Sequence, residues 1–255
     1  MKQMKFFLVA LMAVVMGMSV TSCMNGDDNT QVNDLPVLGK VKDSFLGLTF
    51  TSLDGFTFKS KNTVEGTTNF MTGDFIVATC SYDTEVDIDY TTNTINATIG
   101  STEKISDNAV YSTTKAEDEG EHPFYVSDRG VISITDLTPA MIDNYNLLVP
   151  IQYFAFEKIA GHTFFMVYYS DENELKGKTD LKLFLRHTST EEKAKETYRA
   201  FSYRVFDIRS AIEAYKNANE GRYPSNITIV SEANSSNNDV PKTTTTTPVT
   251  YTFRE

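Results

Sequence analysis

Apolar and polar residues alternate in short runs along most of this chain, a period that suits strands rather than helices. Val37–Val41, Leu46–Thr51, Phe56–Ser60, Asp74–Tyr82 and Thr94–Ile99 are rich in β-branched and aromatic residues. Turn signals separate them. Asp54-Gly55 is the dipeptide of a tight hairpin, and Tyr90-Thr91-Thr92-Asn93 is a second turn. A further set of runs predicts strands at Val131–Leu137, Leu147–Phe156, Thr163–Ser170, Leu181–His187, Ile227–Val230 and Val249–Phe253. Phe164 to Tyr169 is apolar on both faces, as expected of a central strand. Between the two sets, Thr113–Gly120 is charged and closes on a glycine, which marks a boundary. Asn234–Pro248 is polar and of low complexity, and reads as a mobile loop.

One stretch reads two ways. From Thr188 to Gly221, Ser189 and Glu192 have the spacing of a capping box. Ala194, Tyr198, Phe201, Val205, Ile208, Ile212 and Tyr215 then follow as a heptad-like stripe, and Gly221 would end a helix. Against this, Phe201-Ser202-Tyr203-Arg204-Val205 alternates as a strand does and uses residues that strands prefer. The pattern by itself slightly favours the helix.

Met1–Cys23 has a different character. Lys2 and Lys5 form a basic head, and Phe6–Val15 is an apolar run too short to span a bilayer. Val20-Thr21-Ser22-Cys23 resembles the lipobox of bacterial lipoproteins. That resemblance implies a signal peptide over residues 1–22 and attachment of diacylglycerol to Cys23. Removing 22 of 255 residues leaves 233, enough for one large β domain or two modest ones. It also removes Lys2 and Lys5, so the formal charge moves from −11 to −13. Such a surface repels phosphate backbones and anionic headgroups, which argues against nucleic acid and leaves the lipid as the membrane contact. Residues 23–34 are polar and acidic and read as a flexible tether. The Asp27-Asp28 pair is similar to the export signal of surface lipoproteins in Bacteroides-type bacteria. If Cys23 is acylated, Cys80 has no intrachain partner, and in the run Phe75–Cys80 it reads as a small buried hydrophobe.

Leu181-Lys182-Leu183-Phe184-Leu185-Arg186-His187, a polar loop, then Tyr203-Arg204-Val205-Phe206-Asp207-Ile208 resembles a segment of the NigD-like lipoproteins of the Bacteroides group. Cys23–Asn29, Leu35–Val41, Leu53–Phe58 and Gly73–Val77 are similar to other short pieces of that family. The resemblance implies a mainly β protein, with an N-terminal OB-like barrel over residues 35–112 and a linker at 113–120. Residues 121–255 would form an antiparallel β-sandwich with one short helix. It also selects the strand reading, with a strand at Tyr198–Asp207 and a helix at Ile208–Asn217. It brings no molecular activity.

Chemistry is sparsely signalled. His122, His162 and His187 are far apart, with no His-x-x-x-His, no Cys-x-x-Cys, no Gly-x-Ser-x-Gly and no phosphate-binding glycine loop. No cofactor, metal site or catalytic residue is expected. Glu85, Asp87 and Asp89 would share one strand face, suited to calcium or, more commonly, to a charged face that discourages edge pairing. Arg186-His187 ends a strand, where it would form an ion pair or meet an anionic ligand. There is no Trp for sugar stacking but there are 13 Tyr. These features predict a non-enzymatic outer-membrane lipoprotein, on the periplasmic face or the cell surface, held by Cys23 and binding a protein or glycan. A glycan-binding lipoprotein or a small hydrolase with a site in the sandwich loops is the alternative.

Overall fold

The computed structural model describes residues 30–66, 69–134, 138–156 and 161–253. Cys23, the predicted signal peptide and most of the predicted tether lie outside the described residues. The chain forms two compact units, one up to Ser106 and one from Asp107.

The first unit contains β1 (Gln31–Asp43), β2 (Thr49–Ser52), β3 (Thr57–Ser60), β4 (Phe75–Asp83), β5 (Ile88–Asp89) and β6 (Thr94–Lys104). The strands follow the order β3-β2-β1-β4-β6, and β3 also pairs with β6, closing a five-stranded barrel. Alternation builds its interior. Ile95, Ala97 and Ile99 of β6 point inward while Asn96 and Thr98 face solvent. Phe50 and Phe58 stack at the centre, 5.2 Å apart. Gly39 lies against the Phe50 ring. A Cβ there would sit 2.7 Å from the Thr51 carbonyl oxygen and would run into the Phe50 ring. Gly39→Ala should therefore cost about 1–3 kcal/mol, the usual penalty of overpacking. A urea titration showing unchanged stability would refute this close approach.

Two sequence expectations change here. Gln31–Asp34, read as tether, belong to β1, where Gln31 and Val32 pair with Asp83 and Tyr82. Backbone hydrogen bonds make this pairing, so a polar side-chain pattern does not betray it. The register slips between Val32 and Leu35, and Asp34 takes a positive φ of 50°. Glu85 and Asp87 do not share a strand face with Asp89, because they lie in a turn. Asp83 Oδ1 accepts the Glu85 and Val86 N–H groups at 2.9 and 3.3 Å. Asp87 Oδ2 accepts from the Asp83 N–H at 2.9 Å and from Lys61 at 2.7 Å. These carboxylates cap turns.

The second unit starts with β7 (Val110–Thr113), α1 (Lys115–Asp118), β8 (Ala140–Met141) and β9 (Asn146–Ala155). It continues with β10 (His162–Tyr169), α2 (Glu172–Leu175), β11 (Asp180–Ser189) and β12 (Tyr198–Asp207). It closes with α3 (Arg209–Ala218), β13 (Asn226–Ser231) and β14 (Thr245–Thr250). A five-stranded sheet, β14-β13-β11-β10-β7, shares one core with a three-stranded sheet, β12-β9-β8. The larger sheet is mixed rather than antiparallel, since β11–β13 and β10–β7 run parallel. A parallel pair needs a crossover, and β12 with α3 supplies it between β11 and β13. Among the described residues, no helix is long and apolar enough to cross a membrane.

The expected linker at 113–120 belongs to this unit. Thr113 ends β7, and Thr114 caps α1 through a reciprocal bond with Glu117. Charge and Gly120 mark an exposed turn there, which composition does not distinguish from a boundary. The ambiguous stretch resolves as a 3-10 turn (Lys193–Lys195), then β12, then α3. The helical stripe fails at Ala194, Tyr198 and Phe201, which are exposed, the last two by 42% and 37%. Its remaining members, Val205, Ile208, Ile212 and Tyr215, are buried in either reading. The region read as a mobile loop is partly ordered, since Asn238 is buried and β14 begins at Thr245. Of the predicted strand at 131–137, only bridges at Val131 and Ser133 fall within the described residues.

Candidate functional site

Adjacent strand residues face opposite sides of a sheet, so Arg186 and His187 of β11 enter two different environments. His187 points into the core. In the antiparallel register with β10 it stands opposite Phe164, which places His162 on its diagonal. The two imidazoles meet, His162 Nδ1 lying 2.9 Å from His187 Nε2. His187 Nδ1 is 3.1 Å from the Gly130 carbonyl oxygen, and His162 Nε2 is 3.0 Å from Glu191 Oε2. That carboxylate also accepts the Phe156 N–H at 2.8 Å. Phe164 stacks on His187 at 4.4 Å, and the Tyr153 ring lies 4.8 Å from His162. Burial pushes the His187 imidazole down to about 3, and the neighbouring His162 and Arg129 add to this. The Gly130 hydrogen bond opposes it.

A buried ion pair adjoins this pair. Arg129 Nε meets both oxygens of Glu196 at 3.0 and 2.8 Å, with the side chains 8% and 0% exposed. Arg129 Nη2 donates to the Glu191 carbonyl oxygen at 2.9 Å. Asn238 Nδ2 donates to Glu196 Oε2 at 2.6 Å and to the Lys193 carbonyl oxygen at 2.8 Å. Three segments distant in sequence are fastened together in this way.

Arg186 faces the other side. Asp118 of α1 and Glu232 accept from its guanidinium at 2.8 and 2.9 Å, and it lies over Phe184. Tyr169 donates to the same Asp118 at 2.8 Å, and burial together with that carboxylate pushes the phenol up. Of the two sequence readings of Arg186, the ion pair is the one observed.

Among the described residues, His162, Glu191 and Glu196 place ligand-type atoms within 4.8 Å of one another. The set does not fit a metal ion. Both Glu196 oxygens are taken by Arg129, whose positive charge repels a cation, and Asn238 adds a second donor on one of them. His162 and Glu191 already bond each other directly. An open depression of about 1010 Å³ is lined by Leu175, Lys176, Tyr215, Asn219, Arg222 and Tyr223, away from both networks. Cys80 is buried in the barrel, and burial pushes its thiol up to about 12.

Sequence reasoning treated the histidines as unrelated. The available signal was the pairing of two strands it had already read, because a β10–β11 hairpin brings His162 to His187. Arg129, Glu196 and Asn238 carry no sequence signal.

No family model matches the chain, and no curated protein matches it. Solved structures do. A Bacteroides fragilis protein described as a "Putative lipoprotein" is 22% identical, with a TM-score of 0.69 over 88% of this chain and 100% of that one. An uncharacterized Parabacteroides merdae protein is 16% identical, with a TM-score of 0.52 over 87% of this chain and 100% of that one. A NigD-like immunity protein from Bacteroides caccae is 12% identical, with a TM-score of 0.48 over 84% of this chain and 92% of that one. At these identities the first two likenesses establish a shared fold.

Proposed function

We propose that this protein is a lipid-anchored cell-envelope module that binds a protein partner and has no catalytic role. The observation that carries the reading is a group of exposed apolar side chains at one end of the barrel. Phe45, Leu46 and Met71 are 91%, 88% and 73% exposed. Their loops are tied together, since Ser44 Oγ donates to the Phe70 carbonyl oxygen at 2.8 Å and Thr72 Oγ1 to that of Lys42 at 3.0 Å. Single exposed apolar residues are ordinary, whereas a cluster on adjoining loops marks a contact surface. The cluster stands at the far end of β1 from Gln31. Thirteen residues at roughly 3.3 Å each separate those ends by at most about 40 Å. An anchor at Cys23 would hold the Gln31 end of β1 nearer the membrane than the apolar loops.

Support for the anchor comes from the lipobox-like Val20–Cys23 and from the fold shared with the Bacteroides fragilis protein. Cys23→Ala should move the protein from the membrane fraction to the soluble fraction. Retention in the membrane with unchanged mobility would sink the anchor. A photo-crosslinking residue at position 46 should trap one protein species in whole cells, and the absence of any adduct would sink the partner.

A second reading, a glycan binder, draws on another surface. Tyr111 and Tyr125 stack at 4.5 Å beside the exposed Phe124. A glycan array loaded with dietary and host polysaccharides separates the two readings.

A further inference from the structure

An edge strand presents a row of N–H and C=O groups that another chain can pair with. Proteins blunt such edges with proline, lysine, a bulge or sheer shortness. In the second unit β14 carries Pro248, β7 has four residues and β8 has two. β12 has none of these safeguards. It ends the three-stranded sheet, runs for ten residues without proline or lysine, and pairs with β9 without a slip in register. Among the described residues, the bridge between Asn108 and Phe206 is the only pairing on its other side.

Hydrogen bonding fixes which residues of β12 face that edge. In an antiparallel pair, alternate residues turn both backbone groups towards the partner strand. The Ile208 N–H donates to the Tyr145 carbonyl oxygen at 2.9 Å, in the same register as the β12–β9 pairing. Counting back by twos, Phe206, Arg204, Ser202, Ala200 and Tyr198 turn towards β9. Arg199, Phe201, Tyr203 and Val205 therefore turn away. The Val205 carbonyl oxygen agrees, since it accepts from Asn108 Nδ2 at 3.0 Å on the outer side. Ser202 Oγ reaches the Tyr203 carbonyl oxygen at 3.4 Å. Arg199 is exposed, Phe201 is 37% exposed, and Phe201 meets Tyr203 edge-on at 4.9 Å.

The side chains of this edge match their own reversal. Residues 198–204 read Tyr-Arg-Ala-Phe-Ser-Tyr-Arg. When the segment is laid antiparallel on a second copy with Phe201 opposite Phe201, Arg199 stands opposite Tyr203 and Arg204 opposite Tyr198. Ala200 then stands opposite Ser202. Each arginine meets an aromatic ring, each small residue meets a small one, and no like charges oppose. The same register sets the outward-turned residues Arg199, Phe201 and Tyr203 against one another, so their N–H and C=O groups pair across the joint. Shifting either strand by one residue would oppose an outward-turned residue to an inward-turned one and break both matches.

We propose that β12 is a dimerisation edge, through which two copies of this chain join antiparallel about Phe201 into one sheet of order β8-β9-β12-β12-β9-β8. The contact is isologous and closes after two copies, so it builds a dimer and not a fibre. This goes beyond the reading above, because it engages the backbone of a strand and not the apolar loops of the barrel.

Native mass spectrometry of the full-length lipoprotein in mild detergent should find two chains per particle. Phe201→Pro should find one. The N–H it removes points away from β9, so the β12–β9 ladder stays whole and the thermal midpoint of the monomer should stay close to that of the wild type. A monomeric wild type, or a dimer that persists in Phe201→Pro, would overturn the proposal. Cysteine crosslinking in whole cells reads the register and leaves the backbone intact. Opposed residues of a hydrogen-bonded pair lie about 5.5 Å apart at Cα, within disulfide reach. Phe201→Cys should therefore link two copies on mild oxidation. Arg199→Cys should not, because its two copies lie four residues apart along the joint, about 13 Å. Equal linking at both positions, or none at 201, would overturn the pairing about Phe201.

Discussion

Arg129→Ala should destabilise the second unit by about 3–5 kcal/mol, the range found when one partner of a buried ion pair is removed. The cause is the carboxylate left behind. Glu196 is fully buried, and without the guanidinium it keeps Asn238 as its hydrogen-bond donor but loses its counter-charge. Arg129 also donates to the Glu191 carbonyl oxygen, so the segment between β11 and β12 loses a second fastening. Replacing both partners with apolar residues of similar volume, Arg129→Met with Glu196→Leu, should recover most of the loss, because no charge then remains to be buried. Urea titrations of the two variants give the comparison. A loss below about 1 kcal/mol for Arg129→Ala would place the pair among solvent-screened surface bridges and refute its burial.

Phe50→Ala should cost the barrel about 3–5 kcal/mol, as expected when a fully buried aromatic ring is removed and the space only partly refills. Phe50 is the larger contact of Gly39 and stacks on Phe58 with the rings only 7° from parallel. Ile76, Ala97 and Ile99 of the same core are held in β4 and β6 by closed strand pairing, so they cannot collapse far into the gap. Hydrogen exchange resolves where the loss falls. Amides of β1, β2 and β6 should exchange faster while those of β10 and β11 keep their protection. Equal acceleration in both units would mean that Phe50 does not act through the barrel core alone.

Legibility in the sequence followed the side-chain pattern closely. Nearly every strand with an alternating or doubly apolar run was readable, from Val37–Val41 to Ile227–Val230. The short strands that escaped, β7 and β8, contribute few side chains to a core and are recruited by neighbours, and of the strand read over Glu85–Asp89 only Ile88–Asp89 pairs. Gln31–Asp34 escaped for a related reason, since backbone pairing leaves no trace in a polar sequence. The stretch from Thr188 to Gly221 shows how two periods can coincide. Val205, Ile208, Ile212 and Tyr215 are buried whether the chain before Asp207 is strand or helix, so only the exposed Tyr198 and Phe201 separate the readings. The resemblance of 181–208 to a known segment resolved what periodicity left open.

By itself, the sequence determined the β character of both halves, the burial of Cys80, and a lipobox-like start whose cysteine is outside the described residues. These depend on local properties: propensity, alternation and short motifs. The tertiary structure alone decided the barrel closure by β3 and β6, the parallel pairing of β11 with β13, and the meeting of His162, His187, Glu191, Arg129, Glu196 and Asn238. Those residues come from four separate segments, and each has an ordinary neighbourhood in the chain. Strand register, which sets who faces whom across a sheet, is a property of the folded chain, and it is what brought two histidines 25 residues apart into one buried network.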